Sequence, residues 1–194
     1  MMRNSLKPVV LFLFAGVFVF STKSDAQRFH PTSYEKGIFL VNLNTSIGLY
    51  KNKDFVTSRI PVFIGGDYGL TNRLSLGIYG GWSQRTLKPS GSLAFDVNYF
   101  YYGAQFSIHL TEWLGDNTFL KFSPRTVDIY ATLYGGKESS RQVGFSGLYE
   151  GIGNITRFGG YLGVRMYTMY RIGILLEIGP TQYGLINLGI CAKI

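Results

Sequence analysis

From Lys36 to the last residue, apolar and polar side chains alternate along the chain in a series of segments. In "GGYLGVRMYTMYRIGILLEIGP" (159 to 180), Ile172, Ile174, Leu176 and Ile178 fall at one parity, and Arg171, Gly173, Leu175, Glu177 and Gly179 at the other. A period of two predicts a strand with one aliphatic face and one face that holds the charge. The residues just upstream behave alike, with Phe158, Leu162, Val164 and Met166 opposed to Arg157, Tyr161, Arg165 and Tyr167. A tight turn near Thr168 joins the two strands.

The same reading extends through the chain. "KGIFLVNLNTSIGLY" (36 to 50) sets Phe39, Val41, Leu43, Ile47 and Leu49 against Asn42, Asn44 and Ser46. "RIPVFIGGDYGL" and "RLSLGIYGGWSQR" flank a short turn at Thr71, Asn72 and Arg73, with Ile60, Val62, Ile64, Leu70, Leu74, Leu76, Ile78 and Trp82 on one face. Asp67, Ser75, Tyr79, Ser83 and Arg85 share the other face. "VNYFYYGAQFSIHLT" (97 to 111) and "TVDIYATLYGG" (126 to 136) place Tyr99, Tyr101, Gln105, Ser107 and His109, then Asp128, Tyr130, Thr132 and Tyr134, opposite aliphatic and aromatic neighbours. With "YGLINLGICAKI" at the end, eight strands are predicted, an even number that permits a closed antiparallel meander.

Several of these segments run to about ten residues, the length that crosses a bilayer at a tilt. Longer polar connections near 51 to 58, 87 to 96 and 137 to 154 read as outer loops, and the short ones near 71 to 73 and 168 to 170 as turns on the opposite side. The link from Glu112 to Arg125 is long for a turn, and the one from Pro180 to Tyr183 is short for an outer loop.

Residues 1 to 26 read as a cleaved signal peptide: Arg3 and Lys7 precede the apolar run "VVLFLFAGVFVF", and Ser24 and Ala26 precede the cut at Gln27. Residues 27 to 35 form a periplasmic lead-in, and 36 to 194 the folded domain. Twenty-five glycines and 16% aromatic residues suit twisted strands and turns. Removing residues 1 to 26 takes away Arg3, Lys7, Lys23 and Asp25, and so lowers the formal charge from +8 to +6. The remaining cations are scattered, without the stripe that nucleic acid would require. Cys191 is the single cysteine, so no disulfide framework exists. The chain carries no metal-ligand cluster, phosphate loop or nucleotide fingerprint, and neither metal nor cofactor is expected.

The segments "IPVFIGGDYGLTNRLSLGIYGG", "GAQFSIHL", "VDIYATLYGG" and "GVRMYTMYRIGILLEIGP" together resemble the small outer-membrane β-barrel proteins of Gram-negative bacteria. The resemblance implies an all-β fold, an eight-stranded antiparallel up-and-down transmembrane β-barrel. It also implies contact with outer-membrane lipid and lipopolysaccharide, delivery by the outer-membrane insertion machinery, and a ligand at the outer loops as an open possibility.

If the aliphatic faces meet lipid, Asp67, Arg73, Arg85, His109, Asp128, Arg157, Arg165, Arg171, Glu177 and Lys193 point into the lumen or lie near its ends. A barrel of eight strands is narrow enough for side chains to fill, so the polar set reads as a structural network in a plugged interior, with a gate as the alternative. The chain is expected to be a structural or surface-binding barrel and not an enzyme. A narrow solute channel is the alternative. Two further classes stay open. Ser107 and His109, two apart on one face, with Asp128 or Glu112 as the acid, would be needed for a lipid-modifying enzyme. A soluble lipocalin-like barrel would turn the aliphatic face inward around a ligand.

Overall fold

The computed structural model describes residues 33–47, 55–87, 94–117, 125–143, 155–168, 171–180 and 184–194. The segment read as a signal peptide, the first residues of the lead-in and most of the outer connections lie outside them. Eight strands follow in order: β1 (Phe39–Ile47), β2 (Phe55–Gly69), β3 (Leu74–Leu87), β4 (Phe95–His109), β5 (Val127–Gln142), β6 (Ile155–Tyr167), β7 (Ile172–Ile178) and β8 (Ile186–Lys193). Each pairs antiparallel with the next, and β8 returns to β1 from Leu40↔Lys193 to Ile47↔Ile186, closing the barrel.

Alternation decides which side is in. Ile60 and Ile78 are 72% exposed and Phe158 81%, whereas Asp67, Ser75, Asp128, Arg165 and Glu177 are almost wholly buried. Aliphatic surface on this scale meets water at a cost of about 25 cal/mol per Å². The belt therefore suits hydrocarbon, and the inside-out arrangement of a soluble lipocalin-like barrel is not the one adopted.

Turn chemistry sets one end of the barrel. Between β2 and β3 the Thr71 hydroxyl accepts from the backbone N–H groups of Arg73 and Leu74 at 3.1 and 3.0 Å, and Leu70 N–H donates to Leu74 O at 2.9 Å. Between β6 and β7, Thr168 N–H donates to Ile172 O at 3.2 Å. The start of β1 and the end of β8 lie at this same end, called here the terminal end. Ser33 and Tyr34 fold back over it: the Ser33 hydroxyl donates to Val127 O at 2.7 Å and Gly37 N–H to Gly69 O at 2.8 Å.

Two expectations about boundaries are corrected. β2 already begins at Phe55 and β5 continues to Gln142, where loops were expected from 51 to 58 and from 137. "KESSRQ" is polar on both faces, so hydropathy ends the strand there, but the backbone ladder runs on through Lys137↔Tyr102 to Gln142↔Val97. The long link after β4 begins with a helix, α1 (Thr111–Asn117). The result is an uneven rim: β2 to β6 have 13 to 16 residues, and β7, β8 and β1 only 7 to 9. Pro61 lies within the register shift between Arg59 and Val62 in the pairing of β2 with β3, where no N–H is required.

Candidate functional site: the buried lumen network

Inward side chains of β1, β2, β4, β5 and β6 converge in a cluster around Arg165. Its Nη1 donates to Asp128 Oδ2 at 3.0 Å and its Nη2 to Asp67 Oδ2 at 3.3 Å, and its guanidinium carbon lies 3.8 Å from the centre of the Tyr130 ring. Asp67, on β2, also accepts from Gln105 Nε2 at 2.7 Å and Asn42 Nδ2 at 3.1 Å. Asp128, on β5, accepts from the Thr111 hydroxyl at 3.2 Å and lies 2.9 Å from His109 Nδ1. One cation thus ties β2, β5 and β6 together across the lumen; Asn42 of β1 and Gln105 of β4 complete Asp67, and His109 of β4 with Thr111 of α1 completes Asp128. The backbone yields to this cluster at two glycines. A Cβ at Gly77 would run into Asp67 Oδ1, and one at Gly163 into the Tyr130 ring.

Toward the terminal end, His109 is covered by Tyr34, whose ring stacks on the imidazole at 3.4 Å and 6°. The Tyr34 hydroxyl donates to Leu74 O at 3.3 Å, and burial pushes its phenol up to about 12. The other imidazole nitrogen, Nε2, lies 3.2 Å from Ser75 Oγ. Ser75, His109 and Asp128 are therefore in line as hydroxyl, imidazole and carboxylate. The serine weighed from spacing, Ser107, bonds instead to Thr132 Oγ1 at 2.7 Å. Cross-strand pairing brings Ser75 and Ser107 opposite each other, and the imidazole turns toward Ser75. This line does not make a hydrolase: Ser75 is fully buried and Tyr34 caps the imidazole, so no substrate carbonyl can reach the hydroxyl.

Toward the opposite end lies Glu177, and Arg165 is committed to Asp67 and Asp128. Glu177 receives neutral donors: the Tyr130 hydroxyl at 2.8 Å, Asn187 Nδ2 at 3.0 Å and Asn44 Nδ2 at 3.4 Å. The amides satisfy it because β1 and β8 supply polar residues at the inward parity. Beside it lies a cavity of about 40 Å³ lined by Asn42, Asn44, Gln105, Tyr161 and Glu177 among others.

The remaining charges lie at the ends. Arg85 donates to the Tyr101 hydroxyl at 3.2 Å and stacks 4.8 Å from the Tyr99 centroid, and Arg157 pairs with Glu138 at the outer rim. At the terminal end Lys193 Nζ sits 3.8 Å over the Tyr167 ring. Arg73 and Arg171 stand outside the lumen: Arg73 is in the β2–β3 turn, half exposed and 3.4 Å from Glu112, and Arg171 is exposed beside the β6–β7 turn. Hydropathy parity singled out the charged members. Asn42, Ser75, Gln105, Tyr130 and Asn187, which share the inward parity, and Thr111 of α1 supply further hydrogen-bond partners.

No family model matches the chain, and no curated protein does. Among solved structures, the outer membrane protein OprG of Pseudomonas aeruginosa superposes with a TM-score of 0.53 at 11% identity, covering 83% of this chain and 97% of that one. The chain has the fold of small outer-membrane β-barrels. The N-terminal barrel domain of Pseudomonas aeruginosa OprF matches with a TM-score of 0.49 at 11% identity, over 82% of this chain and 98% of that one. Ail, the Yersinia pestis outer membrane protein, matches with 0.46 at 12%, over 82% and 100%. At such identity the likeness extends to architecture, and the buried network of this barrel is read from its own residues.

Proposed function

We propose that the chain is an integral outer-membrane barrel, exported on a cleaved leader at 1 to 26, whose network around Arg165 closes the lumen and leaves a structural or surface-binding role. One observation carries this reading: the cross-section at Arg165 is filled by buried side chains that span from β2 to β5 and β6, inside a belt of exposed aliphatic residues. Tyr34 and Ser33 add a second closure at the terminal end, which on this reading is periplasmic. The tall wall of β2 to β6 then projects outward past the belt. Lys137 and Arg141, exposed on the outward parity of β5, lie where anionic lipopolysaccharide headgroups would be met. The insertion machinery is the partner that assembly requires.

Cell fractionation tests the reading. The mature chain should remain in the outer-membrane fraction after carbonate washing, need detergent for release, and migrate differently on a gel when unheated. Recovery as a freely soluble periplasmic protein would overturn it.

A further inference from the structure

We infer that the cavity beside Glu177 is a site for a single hard monovalent cation of sodium's class, bound by the Glu177 carboxylate and the side-chain amide oxygens of Asn42 and Asn44. Asn42 Oδ1 and Asn44 Oδ1 are buried without a hydrogen-bond partner, and both residues line the cavity. Their orientation is fixed by their other atoms. Asn42 Nδ2 donates to Asp67 and Asn44 Nδ2 to Glu177, so rotating either amide would set an oxygen against a carboxylate. The two carbonyl dipoles are thereby left as acceptors with nothing to accept from.

Charge points the same way. Glu177 is 2% exposed and takes three hydrogen bonds, leaving about one of its roughly four acceptor positions free, yet among the described residues no cation touches it. Arg165 bridges Asp67 and Asp128, His109 sits on Asp128, and Lys193 lies on the Tyr167 ring. An isolated buried carboxylate is costly, and a bound cation removes that cost. Oxygen donors without nitrogen or sulfur select hard ions, and one uncompensated charge selects a monovalent one. The volume suffices: a water needs about 10–15 Å³, so about 40 Å³ holds an ion with one or two waters. Gly189 preserves the site, because a Cβ there would come within 2.6 Å of Asn44 Oδ1.

The test uses the full mature barrel refolded in lipid vesicles, with urea unfolding compared in sodium chloride and in N-methyl-D-glucamine chloride at equal ionic strength. Sodium should raise the unfolding midpoint in a saturable way. Glu177→Gln, which keeps the size and lets the Tyr130 hydroxyl switch from donor to acceptor, should unfold at the same midpoint in both salts. Crystals soaked in rubidium should show an anomalous peak between Glu177 and the Asn42 amide oxygen. An identical parental midpoint in the two salts, a sodium response that survives Glu177→Gln, or a rubidium-soaked cavity holding only water would each overturn the site.

Discussion

At the residue scale the molecule rests on one cation shared by two carboxylates. Arg165 is 1% exposed, and its loss would strand Asp67 and Asp128 in a dry interior. Arg165→Leu should destabilise the barrel by about 3–5 kcal/mol in vesicle-based urea unfolding. The exposed pair at Arg73 and Glu112 sets the contrast, and Arg73→Ala should cost about 1 kcal/mol or less. Tyr34 supplies a pH dependence. Its phenol is raised from 10.0 to about 12, so the neutral form is favoured when the lead-in is docked. That contribution is complete below pH 10 and is lost as pH rises through about 12. In 295 nm absorbance titrations, the difference between the parent and Tyr34→Phe should be one tyrosine that titrates late, near pH 12; a difference centred on the ordinary phenol value would contradict the docking. Ser75→Ala and Ser107→Ala should leave membrane lipid profiles unchanged, since neither hydroxyl is open to a substrate.

At the element scale, strand faces were legible from parity alone and strand ends were not. Ile172, Ile174, Leu176 and Ile178 face outward and Glu177 inward, as alternation predicts, because a one-residue slip would turn every aliphatic side chain into the lumen. Hydropathy loses its signal where β5 leaves the apolar belt, at Lys137, and there backbone pairing with β4 decides the length. Site partners were hidden for a related reason: Ser75 meets His109 only through the register between β3 and β4, and that register is a property of two strands together. Glu177 was legible as buried, but its neutral partners come from β1, β5 and β8. Lipid-face substitutions follow from the same geometry. Ile78→Lys, near the middle of β3, should cost about 2–4 kcal/mol, and Ile174→Leu should be nearly silent in the same unfolding assay. Equal tolerance of both would place the belt in water.

At the scale of the whole molecule, the Tyr34 cap and the Arg165 layer lie in series along the lumen, and the function proposed here holds that together they close it. Single-channel recording of the refolded mature chain in planar bilayers is the most direct measurement. The parent should insert and remain electrically silent, while Arg165→Leu, if it stays folded, should show flickering openings. A steady ohmic conductance from the parent would contradict the closed lumen on which the account depends.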